Sequence, residues 1–533
     1  MSKVLFVGLD GATFSLLLPL IDEGCMPFLG KLISEGFSSD LLSTPVPLTP
    51  PGWISTVTGM MPENHGIFDF LRPQYTPNGV ILKVNDSRDL RAKTLWSYVS
   101  QQGKRITSLN FYGMSPPPPV DGYLISGFIP WKHLRSATYP SSFFDTLKSL
   151  PNVNLRKLGM DIGEEKKCIQ GLPESEYEEW IDLQSTRDLA WTNLLKYLIE
   201  TDPTELTSIV YDGTDKIQHL FWRYLDPKYV KATLTSAWHQ HIRDMCIQYY
   251  TQVDQSLREL YEASGPGTSM VITSDHGFGA TDEVVYINEF LHRNGYLSWS
   301  DDTVLQDNTK LTADKIKDHT LMIDWTKTLA YSLTPSSNAI YINRKSDDNP
   351  HGVPDKDYKS FCLELQQKLL SYQHGNDCTP VFTKVELNQR RLSGTSDFEH
   401  APDIILGLRD GGFVSILRSS EVVRKRQLID GTHRPNGIFI GHGPMFKQKK
   451  LAEPLSIYDV TPIILYLLKL QIPAGLDGKV PTEIFDDTYL TANPVITSPT
   501  LDTRPIDSDS TKEITDEEKE SLMAQLRLLG YVD

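Results

Sequence analysis

The sequence is poor in cysteine. Five residues, Cys25, Cys168, Cys246, Cys362 and Cys378, are scattered through 533 positions with no Cys-x-x-Cys pair. No disulfide framework is written into such a set, which reads as free thiols in a reducing cytoplasm. The chain also lacks any apolar run near the roughly 18 residues of a membrane span; Ile463 to Leu470 is interrupted by Lys469. The amino terminus meets Asp10 after too few apolar residues for a signal peptide and shows no small-residue cleavage site. Lys3 to Leu9 is therefore expected as a first strand, and the protein as soluble and cytoplasmic. Positive charge is in deficit, with 52 Lys and Arg against 68 Asp and Glu and a net charge of -16. Binders of nucleic-acid polymers or of anionic membranes need the opposite balance. An anionic substrate would need local help, from metal ions or a few arginines.

What is present is a repeated ending. Val271-Ile272-Thr273 rises from the Gly265–Gly267 turn as a buried strand would, then stops at Ser274-Asp275-His276-Gly277. A carboxylate and an imidazole thus stand at the carboxyl end of a strand, the rim where open α/β sheets bind ligands. Taken alone, a turn with a satisfied Asp explains these four residues equally well. Lys3 to Leu9 ends in the same manner at Asp10-Gly11, and Leu206 to Asp212 runs into Thr214-Asp215-Lys216-Ile217-Gln218-His219. There Thr214 fits a helix N-cap, and Asp215 and His219, four apart, lie on one helical face within reach of one ion. The plainer reading is a surface Asp and His on an amphipathic helix.

Thr49 precedes an expected helix, Pro51 to Met60, with proline in its first turn. It reads as an N-cap or as a nucleophile, since a helix amino terminus also offers N–H groups to phosphate. His433 is placed in a tight loop before a strand. Strands alternating with helices predict an α/β fold, a mostly parallel central sheet with helices on both faces. The core is expected in three parts, 1–128, 204–297 and 412–486. An insertion or lid at 129–203 and a second insertion at 298–411 interrupt it, and a linker with a terminal helix from Thr515 to Leu529 follows within 487–533. His319, His351, His374 and His400 of the second insertion are expected to be structural or solvated.

Collected, the rim residues are Asp10, Thr49, Asp215, His219, Asp275, His276 and His433. Three carboxylates and three imidazoles without a thiolate suit zinc first and manganese second, rather than magnesium. Six such ligands exceed one open tetrahedral site and suit two ions. The pattern resembles the alkaline phosphatase superfamily, in particular its type I phosphodiesterase/nucleotide pyrophosphatase branch with the uncharacterised phosphohydrolase- and phosphomutase-like members. The resemblance rests on Leu9-Asp10-Gly11, Leu48-Thr49-Pro50-Pro51, Thr58-Gly59, Pro62-Glu63-Asn64-His65-Gly66-Ile67, Thr214-Asp215 with His219, Ser274-Asp275-His276-Gly277 and Thr432-His433-Arg434, in family order.

The resemblance implies that Asp215, His219 and His433 hold one ion. Asp10, Asp275 and His276 would hold the other, with Thr49 as its further ligand and as the nucleophile that becomes phosphothreonine. It implies hydrolysis of a diester or pyrophosphate bond in a small phosphorylated substrate. A phosphomonoesterase, a phosphomutase and a non-catalytic metal-containing binding protein are the alternatives. Two departures stand out. Nucleotide pyrophosphatases carry an Asn three residues after the nucleophile, where this chain has Gly52, and the Cys-x-Pro-x-Arg setting of sulfatases is missing. His65 reads as a turn residue, His442 has no assigned role, and Arg434 reads equally as an anion clamp or as the partner of a core carboxylate. Oligomeric state is not legible.

Overall fold

The structure, a computed structural model, describes residues 3–504 except 77–78, 151–152, 162, 166–171, 301–320, 335–336, 347–349 and 376–377. His319 and the expected helix from Thr515 to Leu529 lie outside the described residues.

The strand Val4–Leu9 is buried at every position, as a central strand covered on both faces must be. Its side chains alternate: Leu5, Val7 and Leu9 enter one core and Val4 and Phe6 the other. It pairs in parallel with Leu206–Tyr211 on one side and Ser269–Thr273 on the other. Ile106–Phe111 and Gly122–Ser126 continue the parallel run, and Thr138–Tyr139 adds an antiparallel edge. In the other direction Asn436–His442 runs antiparallel to both Ser269–Thr273 and Phe37–Leu42. Two short strands beyond complete a ten-stranded sheet among the described residues.

Helices Phe14–Asp22, Pro27–Glu35, Tyr177–Thr201, Gly213–Leu225 and Ala237–Ser264 cover one face; Thr49–Thr58, Leu95–Gln101 and Val460–Leu467 cover the other. Gly8 is a notch in the central strand. A Cβ there would lie 2.3 Å from the Trp53 ring, so the Thr49–Thr58 helix sits close against the strand. Gly59, in the left-handed region at φ 68°, closes that helix.

The described residues of the expected insertion at 129–203 pack onto the sheet. They supply the Thr138–Tyr139 edge and the Tyr177–Thr201 helix, whose Trp180, Trp191, Leu194 and Leu195 are at most 1% exposed in the sheet's core. Exposing such side chains costs about 1.5–3 kcal/mol each. The described part of 298–411 builds a four-stranded sheet and the helix Asp355–Leu370, whose core also takes in Val285, Ile287, Phe290, Leu291, Val414 and Val423 from outside that span. A 3₁₀ turn, Ile457–Asp459, leads into the buried helix Val460–Leu467. No helix among the described residues is long and apolar enough to cross a membrane.

His65, expected as a turn residue, stands where the chain turns at Gly66. It ends the short helix Pro62–His65 fully buried, with Nδ1 accepting from the Ile67 N–H at 3.1 Å and Nε2 donating to Ser55 at 2.9 Å. Burial pushes its imidazole down to about 3. Between that value and the ordinary 6.5, the unfolded chain binds a proton that the folded chain refuses, so stability falls as pH falls through this window. His65→Gln removes the titration, and chemical denaturation between pH 6 and pH 4 should show a slope shallower by up to about 1.4 kcal/mol per pH unit. Identical slopes for the two proteins would contradict the assignment.

Candidate active site

Three neighbouring parallel strands deliver the acidic residues at their carboxyl ends. Asp10 follows Val4–Leu9, Asp275 and His276 follow Ser269–Thr273, and Asp215 with His219 lies on the helix after Leu206–Tyr211. His433 comes from outside this set. It lies within the strand Val423–Arg434, opposite Phe278 of Gly277–Tyr286, and not in the expected loop. Thr49 is the first residue of its helix, with Leu48 at the cap position, so its hydroxyl is not an N-cap. Thr214 is not a cap either: Asp212 holds that position, and the Thr214 hydroxyl donates to the backbone carbonyls of Asp10 and Tyr211 at 2.6 and 3.0 Å.

All seven residues converge. His276 Nε2 lies 3.1 Å from Asp275, 3.6 Å from Asp10, 3.9 Å from Asp215 and 3.4 Å from the Thr49 hydroxyl. His433 Nε2 lies 3.0 Å from Asp215 Oδ1 and 3.0 Å from His219 Nε2, which is itself 3.4 Å from Asp215 Oδ2. Two triads, Asp10/Asp275/His276 and Asp215/His276/His433, each bring ligand atoms within 4.8 Å of one another. His276 therefore faces both clusters, and its ring stacks on His433 with centroids 3.6 Å apart.

The three imidazoles are anchored alike. Nδ1 of His219, His276 and His433 donates to the carbonyls of Gly431, Gly277 and Pro47 at 3.2, 3.1 and 2.9 Å. A carbonyl can only accept, so each Nδ1 carries a proton, and in the neutral ring Nε2 then turns its lone pair inward, the tautomer a metal ligand needs. Two facing lone pairs 3.0 Å apart repel unless a cation lies between them. On the acidic side Asp10 Oδ1, Asp215 Oδ1 and Asp275 Oδ2 are buried with no hydrogen-bond partner among the described residues. Their sister oxygens are held, Asp10 Oδ2 by the Trp53 indole at 2.9 Å and Asp275 Oδ1 by the Gly11 N–H at 3.1 Å.

Burial, then Asp275 and Asp215, push the Asp10 carboxyl well above its ordinary range. Burial, aided by His276, holds the His433 imidazole down at about 3. Burial works against the charge of Asp215, yet His219, His433 and His276 outweigh it and lower that carboxyl. Three buried carboxylates gathered at one rim, with the His433 imidazole held neutral and the His276 imidazole pulled up by Asp275 and Asp215 against its burial, fit a divalent-cation site, and the described donor set of oxygen and nitrogen suits zinc or manganese.

Gly52 is a packing requirement. A Cβ there would come within 2.9 Å of both Cβ and the carbonyl oxygen of Asp275, so no Asn fits between this helix and the Asp275–His276 turn. The helix start is also poor in donors: Pro50 and Pro51 have no N–H, and that of Gly52 is bonded to Leu48 O at 2.9 Å. Arg434 makes its described hydrogen bonds to backbone, with the Asp410 carboxylate as a charged neighbour. Its guanidinium donates to the backbone carbonyls of Ala280, Asp410 and His433, bracing the end of the second insertion. His400 is structural as expected, donating to Gly66 O at 2.9 Å, and His442 accepts from the Tyr261 hydroxyl away from the site.

Trp53 was not legible as a site residue, although its place one helical turn after Thr49 is a usable signal.

A family model for type I phosphodiesterase / nucleotide pyrophosphatase matches residues 4–436. Among solved structures, murine ectonucleotide pyrophosphatase/phosphodiesterase 5, an inactive threonine-to-alanine variant in complex with AMP, superposes with a TM-score of 0.51 at 14% identity, over 91% of this chain and 100% of that one. The human counterpart gives the same values, TM-score 0.51 and 14% identity. Phosphonoacetate hydrolase from Sinorhizobium meliloti 1021, in complex with phosphonoformate, superposes with a TM-score of 0.50 at 16% identity, over 87% of this chain and 95% of that one. No curated protein matches the sequence. At these identities the likeness to solved structures is one of fold.

Asp275→Ala should lower bound metal and activity together, and His400→Ala should leave both nearly unchanged. Elemental analysis beside a rate assay checks this; equal losses in the two variants would contradict the partition between site and scaffold.

Proposed function

Because the chain belongs to the type I phosphodiesterase/nucleotide pyrophosphatase family of metal-dependent phosphoric ester hydrolases, we propose that it cleaves a diester or pyrophosphate bond in a small phosphorylated molecule, with Thr49 as nucleophile. The observation that carries this reading is the Thr49 hydroxyl 3.4 Å from His276 Nε2, beside the unpartnered oxygens of Asp10, Asp215 and Asp275. The inactive threonine-to-alanine form of the murine relative, captured with AMP, supports it.

In this proposal Asp10, Asp275 and His276, with Thr49, hold one cation, and Asp215, His219 and His433 hold the other. Zinc is the first choice and manganese the second. When bound, the two cations ease deprotonation of the hydroxyl and neutralise the non-bridging oxygens of the phosphoryl group. Thr49 Oγ attacks phosphorus in line while the bond to the leaving oxygen breaks, giving a phosphothreonine. Water then attacks that phosphorus, and the Thr49 hydroxyl returns as the second leaving group. The protein itself offers little to the phosphoryl oxygens, since Gly52 leaves no room for an amide side chain and the two prolines remove backbone donors. Cations held by these residues would supply that neutralisation. The free, partly or fully buried thiols Cys25, Cys246 and Cys362 fit a reducing compartment, which we take to be the cytoplasm.

Release of nitrophenol from bis- and mono-nitrophenyl phosphate tests the assignment. The wild type should be active, favour the diester, lose activity to chelator and regain it with zinc or manganese. Thr49→Ala should fall by at least about 1000-fold, roughly the scale of losing a nucleophile. A Thr49→Ala protein as fast as wild type would end the nucleophile assignment. Preference for the monoester would favour a phosphomonoesterase, phosphoryl transfer to a second substrate hydroxyl without uptake of labelled water a mutase, and metal binding without turnover a binding protein.

A further inference from the structure

The helix Gly213–Leu225 starts in a knot of buried charges that the chemistry above does not use. Asp212, 2% exposed, accepts hydrogen bonds from Arg187 and, at 3.1 Å, from Asn110 Nδ2. Lys216 Nζ lies 3.2 Å from the same carboxylate, one helical turn along. Glu165 joins the two cations, 3.4 Å from Arg187 and hydrogen-bonded to Lys216. Burial works against the charge of Asp212, but Arg187 and Lys216 outweigh it and bring its carboxyl down to about 2.

The residues that follow are fixed just as closely. A Cβ on Gly213 would lie 2.5 Å from Asp188 Oδ2 and 2.6 Å from the Tyr249 hydroxyl, two groups that share a 2.7 Å hydrogen bond. Thr214 donates to the carbonyl of Asp10 at 2.6 Å. Three consecutive residues ahead of Asp215 are thus tied to three different parts of the fold: the Tyr177–Thr201 helix, the Ala237–Ser264 helix and the end of the central strand.

We propose that Arg187, through Asp212, is a positioning residue for the cation held by Asp215, His219 and His433, because it fixes where their helix begins and so where both of its ligands point. This rests on the two-cation reading above. Arg187 is 2% exposed, and its planar fork spans Asp212 and Glu165 together, which a lysine ammonium at the same position cannot reproduce. Without it, Lys216 is the one cation left to Asp212 and Glu165 among the described residues, with Asn110 as a neutral donor to Asp212 and Asp188 close by as a third acid. An under-neutralised buried carboxylate of this kind turns towards solvent or takes up a proton, and either response moves the helix start. The Asp10, Asp275 and His276 ligands come from strand ends that Arg187 does not touch.

The test is zinc titration of the full-length protein against a chromophoric chelator, with a thermal melt alongside. Wild type should bind two equivalents. Arg187→Met should keep one at wild-type affinity and weaken the other by roughly 10-fold or more, as loss of outer-sphere support does elsewhere. Arg187→Lys should fall between, and Asp212→Asn should weaken the same equivalent. If Arg187→Met does not fold, the lysine and asparagine variants decide the matter. A folded Arg187→Met protein that binds both equivalents as wild type does, or that weakens both alike, would overturn the proposal while leaving the two-cation reading in place. Wild type binding fewer than two equivalents would instead contradict that reading.

Discussion

Three carboxylates crowd one buried rim, and their mutual repulsion is the constraint on which the rest of the site depends. Asp10 and Asp275 are at most 1% exposed, and with Asp215 they turn oxygens without hydrogen-bond partners toward one another. Each uncompensated charge in such a place costs several kcal/mol. A folded chain tolerates that arrangement only if something positive is meant to sit there. The imidazoles give the same reading from the other sign, with Nδ1 protons committed to carbonyls and lone pairs aimed at the shared space. Divalent cations satisfy both sets at once.

The sheet explains how so much like charge can be held in place. Parallel strands Val4–Leu9, Leu206–Tyr211 and Ser269–Thr273 are adjacent, so their carboxyl ends form one rim although they are far apart in sequence. Above them, the Thr49–Thr58 helix is brought down by two glycines. Gly8 admits the Trp53 ring against the central strand and Gly52 admits the helix backbone against Asp275. Trp53 then closes the loop by holding Asp10 Oδ2. Thr49 reaches the site as a consequence of this close packing, and the same packing removes the position where nucleotide pyrophosphatases carry their Asn.

Much of this was legible in the sequence, and the part that was not has a common cause. Strand endings at Asp10 and Asp275, and the helical spacing of Asp215 and His219, are local patterns that mark rim residues. The alternation of strands and helices points to the α/β architecture, and the motifs point to the family, which the match over residues 4–436 bears out. Misread features depend on contacts between distant segments. The Thr214 hydroxyl looks like a cap until Asp10 is seen beside it, and Arg434 reads equally as an anion clamp or a carboxylate's partner until three backbone carbonyls are seen around it. His433 looks like a loop residue because its strand is recognisable only by pairing with Gly277–Tyr286. Residues 129–203 look irregular because the Tyr177–Thr201 helix is polar on its outer face, and its buried tryptophans show only once the sheet lies beneath them.

The most direct measurement is anomalous diffraction at the zinc edge from crystals grown with zinc. The account predicts two peaks a few ångströms apart, one among Asp10, Asp275 and His276 and one among Asp215, His219 and His433, with the Thr49 oxygen at the first. A single peak, or zinc bound away from these residues, would contradict it.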